Sequence, residues 1–167
     1  MIVLAGDIGG TNARLALVDL TADATRIVAT EVYPSGDFPG LAPIVTTFLS
    51  RTRGRPRRAC YGLAGPVVDQ RSHLSNLSWE VDAAQLGADT GIRRTLLIND
   101  FSAVAWGIAR LGPDDLATLQ EGTPAPHGPI GLIGAGTGLG QGFLLWNGER
   151  YGVYRSEERR VGKECRL

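Results

Sequence analysis

Two glycine-rich loops, each following a short apolar run, constrain this 167-residue chain more than any other feature. The first, Asp7-Ile8-Gly9-Gly10-Thr11-Asn12, closes an apolar run at 2–6. The second, Gly134-Ala135-Gly136-Thr137-Gly138-Leu139-Gly140, closes a run at 130–133. Glycines without a Cβ permit positive φ and close approach, so successive N–H groups can form an anion-binding concavity. Thr11 adds a hydroxyl donor, and Asp7 stands where a carboxylate can hold a hydrated Mg²⁺ beside phosphates. Either loop taken alone reads equally as a glycine hairpin; the pair at two strand ends points to phosphate. Neither is a Walker loop, because no Gly-Lys-Ser/Thr follows. The second is a poor dinucleotide fingerprint, because a strand rather than a helix is expected after it.

Periodicity supplies the frame. Residues 2–6, 14–20 and 26–33 read as three strands with tight connections, an antiparallel meander. A helix is expected over 38–49, with Leu41, Ile44, Val45, Phe48 and Leu49 on one face. A strand at 58–63 is stopped by Ala64-Gly65-Pro66, and 81–86 reads as a short helix. A buried strand at 95–98 enters a helix that starts at Asp100 and runs to about Leu111, with Val104, Ile108 and Leu111 inward. A short helical piece and a Pro/Gly loop fill 112–129, and Asn147-Gly148 signals a hairpin turn after a strand at 141–146. The order is β-β-β-α-β-α-β-α-β, a mixed α/β sheet that begins antiparallel and continues through crossover helices.

Ile98-Asn99-Asp100-Phe101 falls at a strand-to-helix junction. Asn and Asp are favoured helix caps, and that reading stands beside a chemical one. In the chemical reading Asp100 is a general base that accepts an alcohol proton during phosphoryl transfer, and Asn99 hydrogen-bonds a neighbouring hydroxyl. Asn76-Leu77-Ser78-Trp79 reads as a sugar-lining segment or as a core Trp with a turn Asn. His73 and His127 read as loop surface residues, and Cys60 as strand packing.

The formal net charge is +0 and no block of like charge lies along one face, so neither a nucleic-acid nor a membrane partner is expected. Cys60 and Cys165 form no CxxC or Cys/His cluster, which makes a reduced cytoplasmic setting the default. The first residues read as a strand rather than a signal peptide, and no apolar stretch reaches bilayer length.

Five segments, in order and spacing, resemble the bacterial glucokinase family of the hexokinase/actin-like superfamily: GDIGGTNARLAL (6–17), LAGPV (63–67), NLSW (76–79), LLINDFSAVAWGI (96–108) and LIGAGTGLGQGFL (132–144). The resemblance implies an actin-like (ribonuclease H-like) ATPase domain, a mixed five-stranded-type sheet with flanking helices. It implies glucose and ATP as substrates, glucose 6-phosphate and ADP as products, a Mg²⁺ requirement, and a parent protein that is often a homodimer. Carried over by position, Gly6, Asp7, Ile8, Gly9, Gly10 and Thr11 hold the ATP phosphates, Asp7 lies nearest the metal, and Gly136 and Thr137 form a second phosphate-facing loop. Asn99 and Gly138 face the sugar, and Asp100 takes the proton from its 6-hydroxyl. A related repressor/kinase group of sugar kinases and a non-catalytic sugar-binding module are the competing readings.

The last thirteen residues differ from the rest. Eight of them are charged, against 26 of the preceding 154, and they hold Lys163, the only lysine. They read as a solvated charged helix end, and the string RSEERRVGKECR also resembles a translated sequencing adapter. The expected organisation is therefore one glucokinase-like domain over 1–154, ending before a second domain, and a non-native tail over 155–167. The family pattern continues here with Glu-Gly-Gly-His, of which only Glu157 falls in register as a sugar ligand.

Overall fold

The computed structural model describes residues 1–21, 24–108, 110–135 and 139–155. Strand β1 (Ile2–Ile8) alternates, turning Leu4 and Ile8 fully into the core and Asp7 to the other face. Strand β2 (Asn12–Leu20) returns antiparallel with Ala13, Leu15 and Leu17 inward, and β3 (Thr25–Pro34) completes the meander. Helix α1 (Leu41–Arg51) buries Leu41, Ile44, Val45 and Phe48, the stripe its spacing requires.

After α1 the chain changes direction logic. Strand β4 (Arg58–Leu63) pairs parallel with β1. Strands β5 (Arg71–Leu74) and β6 (Trp79–Asp82) form a small hairpin, helix α2 (Ala83–Thr90) follows, and β7 (Arg94–Asn99) pairs parallel with β4. The resulting five-stranded sheet has the order β3-β2-β1-β4-β7, mixed as expected. Helix α3 (Asp100–Ile108) leaves the end of β7 directly.

The sequence expectation of a helix over 81–86 is corrected here. Trp79 and Val81 alternate inward with Glu80 outward, so the segment pairs as a strand before it coils. The helix begins one residue after Asp82, whose Oδ1 accepts the amides of Ala84 at 2.8 Å and Gln85 at 3.0 Å. It ends at Gly91, whose φ of 71° is the left-handed stop that glycine favours. The inward face and extent of α3 are also corrected: Val104 is 53% exposed, Ala105 is buried, Phe101 and Ile108 are half-buried, and Leu111, 47% exposed, lies beyond the helix.

The chain divides into two compact units, Met1–Asp100 and Phe101–Leu167. The second contains a three-stranded antiparallel sheet of β8 (Ile130–Ala135), β9 (Leu139–Trp146) and β10 (Tyr151–Arg155), with β9 in the middle. The β9–β10 turn is the expected one: Asn147 Oδ1 accepts from the Glu149 and Arg150 amides, and Gly148 takes φ 102°. Within this unit the Phe101 ring packs against glycines. A Cβ on Gly134 would fall 2.6 Å from it, and one on Gly140 2.5 Å. That seat sets the rotation of α3, which is why its inward stripe runs through Ala105 rather than Val104. The His127 ring stacks on Trp146 at 4.0 Å, and the Tyr151 hydroxyl donates to Gly128 O at 3.0 Å, fastening the 112–129 connection to the sheet.

Truncating Phe48, fully enclosed between α1 and the sheet, should cost about 3–5 kcal/mol, read as a lower urea midpoint for Phe48→Ala. A second expectation concerns pH. The Asp82 carboxyl is held below the ordinary carboxylate range by the Gln85 amide first and then by Arg71, whose Nε lies 2.6 Å away. A depressed folded pKa adds stability above the unfolded value and loses it as pH falls through the folded one. Wild-type melting temperature should therefore fall more between pH 6 and about pH 3 than that of Asp82→Asn.

Candidate active site

Because β1, β4 and β7 run parallel, their carboxyl ends meet at one edge of the sheet. The register is in line: Ile8 pairs with Leu63, and Leu63 with Asn99. The residues that leave this row are Gly9, Ala64 and Asp100. With strands about 4.8 Å apart, the glycine loop and Asp100 start roughly 10 Å from one another.

Hydrogen bonds lace the three ends together. The Ala64 amide donates to Ile8 O at 3.0 Å, and Gly65 N to Leu63 O at 2.8 Å. Asn99, only 4% exposed, donates its side-chain amide to Gly65 O at 3.1 Å and Leu63 O at 3.4 Å. Asn99 therefore ties β7 to β4, a structural duty it carries alongside any ligand contact. Asp100 is half-buried in the first turn of α3, where the helix N-terminus favours a carboxylate.

The first loop is fixed from beneath. Gly9 N donates to Asn12 O at 2.9 Å, and fully buried Ser35 clamps both sides, its Oγ donating to Gly9 O and its N–H to Thr11 O, each at 2.9 Å. Among the described residues no protein group accepts from the Gly10 or Thr11 amide, so both are open to an anion. Gly9 and Gly10 do not use the positive φ that glycine permits: the glycines with positive φ among the described residues are Gly91 and Gly148. Room is what requires glycine at Gly6, where a Cβ would sit 2.4 Å from the Tyr61 ring; a Cβ on Gly10 would meet the Asn76 amide at an ordinary 3.4 Å.

Asp7 projects from the face opposite the core and is mostly exposed, 3.8 Å from Arg14, its direct cross-strand partner. Among the described residues no three potential metal ligands cluster. A Mg²⁺ that keeps its waters and leans on substrate phosphates needs only one or two carboxylates, so a lone exposed Asp7 at the loop fits such an ion. Cys60 is no nucleophile here: burial pushes its thiol pKa up. Tyr61 is pushed up likewise, by burial first and then by Cys60.

Of the remaining expectations, Trp79 enters the core while Asn76 stays exposed beside Gly10, so that segment divides between packing and the loop. His73 is exposed as expected but has a partner, Glu80 at 2.6 Å across the hairpin. Gly134 and Gly140 of the second loop seat Phe101; Gly136, Thr137, Gly138 and Glu157 lie outside the described residues. The strand after that loop is present as β9, which is incompatible with a dinucleotide fingerprint. Sequence reasoning missed Ser35, Arg14 and Tyr61. Of these, only Arg14 and Tyr61 had a signal, the period-two pairing of their strands.

A family model described as glucokinase matches residues 4–161. This chain belongs to the glucokinase family. The glucokinase of Nostoc punctiforme is 48% identical over 159 residues, covering 93% of this chain and 46% of that protein. That of Synechocystis sp. is 40% identical over 166 residues, covering 92% of this chain and 47% of the relative. The chain thus spans about half the length of the curated relatives it matches. A crystal structure of a glucokinase from an Antarctic psychrotroph superposes with TM-score 0.83 at 31% identity, over 93% of this chain and 50% of that one. A family glucokinase from Streptomyces griseus, of the ROK type and in complex with glucose and AMPPNP, gives 0.62 at 25% identity, over 93% and 49%. These neighbours bear out the actin-like ATPase fold. Among the described residues no helix is long and apolar enough to cross a membrane.

For the glucokinase loop the structure makes a direct demand on Gly6. Gly6→Ala should drive a methyl into the fully buried Tyr61 ring and cost about 1–3 kcal/mol, measured by urea denaturation; Ala5→Gly, one residue away, lacks that clash.

Proposed function

We propose that this sequence works as the phosphate- and base-bearing half of a glucokinase, which transfers the terminal phosphoryl group of ATP to the 6-hydroxyl of D-glucose, giving glucose 6-phosphate and ADP. The observation that carries this is the common carboxyl edge, where the open Gly10 and Thr11 amides and Asp100 stand two strands apart. The likeness to the glucokinase of Nostoc punctiforme and the glucose and AMPPNP in the Streptomyces structure support the same reading.

In this reading the loop Gly6–Thr11 cradles phosphates through backbone N–H groups, which recognise charge without a lysine. A bound Mg²⁺ would neutralise phosphate oxygens, and Asp7 would hold it through its waters. Asp100 accepts the proton of the attacking hydroxyl as the bond to phosphorus forms. Asn99 lies on the sugar side, held rigid by β4, and Gly136, Thr137, Gly138 and Glu157 keep the roles the family likeness implies. Cytoplasmic location and a homodimeric parent belong to the same proposal.

Kinases of this type gain much of their rate by closing two lobes over both substrates and excluding water. Orientation of that kind is worth about 7–11 kcal/mol, so the 167-residue chain alone should turn over glucose negligibly in a coupled assay. Robust turnover by the purified chain would reject that expectation. In a full-length enzyme carrying this sequence, Asp100→Asn should lower kcat by about 10²–10⁴-fold with little change in glucose affinity. An unchanged kcat removes Asp100 as base. Glucose binding with no turnover even in the full-length wild type would favour the non-catalytic sugar-binding module.

A further inference from the structure

The turn Val68-Asp69-Gln70-Arg71 is closed by reciprocal backbone bonds of 2.9 Å between Val68 and Arg71. Its two central residues have φ of 48° and 61°, the left-handed pair of a type I′ turn. Such turns select Asn-Gly or Asp-Gly, because a Cβ disfavours that backbone. Gln70 stands where glycine is favoured. A residue kept against its backbone preference is evidence of a duty elsewhere.

The duty is visible in its side chain. The Leu97 amide donates to Gln70 Oε1 at 2.9 Å, and Gln70 Nε2 donates to Leu97 O at 3.3 Å, across 27 residues of sequence. β7 is the last strand of its sheet, so its outer backbone groups have no strand neighbour. Leu97 is 1% exposed, and those groups would otherwise be buried unpaired. The Gln70 carboxamide acts as one residue of a missing sixth strand. Its own carbonyl accepts the Ala83 amide at 3.0 Å, which anchors the turn to the start of α2. Asparagine is one methylene too short for this reach, and glycine has no side chain.

Leu97 lies two residues before Asn99 and three before Asp100. The inner edge of this strand end is held by β4 and by the Asn99 amide; the outer edge is held by Gln70. We propose that Gln70 is a positioning residue, a side-chain clamp that fixes the end of β7 and thereby the placement of the Asn99–Asp100 pair. The catalytic part of this inference rests on the glucokinase reading of Asp100; the clamp itself does not.

The test uses Gln70→Gly, which relieves the left-handed backbone while deleting the clamp, and Gln70→Asn, which tolerates that backbone but falls short. Amide exchange and ¹⁵N relaxation of the 167-residue chain read the clamp directly. Both variants should speed exchange at the Leu97 amide by about tenfold or more, and lower the order parameters of Asn99 and Asp100 from about 0.85 towards 0.6. Amides of Leu4 and Leu15, in the sheet interior, should be unaffected. Unchanged exchange at Leu97, or loosening that stops at Leu97, overturns the clamp. In the full-length enzyme both variants should cut kcat about tenfold while the KM for ATP holds. Loosened Asn99 and Asp100 with unaltered kcat overturns the positioning role. An inactive wild type, or an Asp100→Asn variant of unchanged kcat, instead counts against the glucokinase reading and leaves the exchange result to decide the clamp.

Discussion

The amide of Asn99, buried and donated across the sheet to Gly65 O at 3.1 Å, is the interaction on which the candidate site depends. Strand ends are where sheets fray, because the last carbonyls have no further residue to pair with. Here Leu63 O, the last carbonyl of β4, and Gly65 O just beyond it take their donor from β7, and Ile8 O, the last carbonyl of β1, takes its donor from Ala64. One residue, Asp100, follows immediately and inherits that rigidity. Without the lacing, the Asp100 carboxylate would sit on a loose end, and in the proposed reaction loss of about an ångström of placement would be enough to degrade phosphoryl transfer.

Rigidity under the first loop has a different origin. Ser35, arriving from the far end of β3, occupies the space beneath Gly9 and Thr11 and takes both into hydrogen bonds. Tyr61 fills the space under Gly6 with a flat ring. That choice has a cost: the Tyr61 hydroxyl is buried with no partner among the described groups. The ring lets the loop stay glycine-thin above a solid floor. The same device recurs in the second unit, where Phe101 rests on Gly134 and Gly140. Three glycines of the two loop segments, Gly6, Gly134 and Gly140, thus leave room for an aromatic ring.

Much of the frame was legible because local chemistry and tertiary need agree. The α1 stripe, the stop at Gly65-Pro66 and the Asn147-Gly148 turn follow from spacing and turn preference alone. The β5–β6 hairpin was not legible. Four-residue strands give too few alternations to outweigh helix-forming Ala83, Ala84, Gln85 and Leu86 just beyond them. The face of α3 was misjudged for a related reason: a run of Phe, Val, Ala, Trp and Ile offers more than one apolar stripe, and contact with glycines far along the chain chose between them.

By itself the sequence determined the element types, the two glycine loops, the strand-to-helix position of Asp100 and the family to which these belong. Those depend on neighbours a few residues apart, where backbone preference and side-chain period act. Only the tertiary structure decided the parallel register that sets Ile8, Leu63 and Asn99 in one row, the seat of Ser35 under the loop, and the reach of Gln70 to Leu97. Each joins residues 24 to 55 positions apart, from Ser35 and Thr11 to Leu63 and Ile8. A pairing over that distance is selected by packing of the whole core, and no local pattern of residues encodes it.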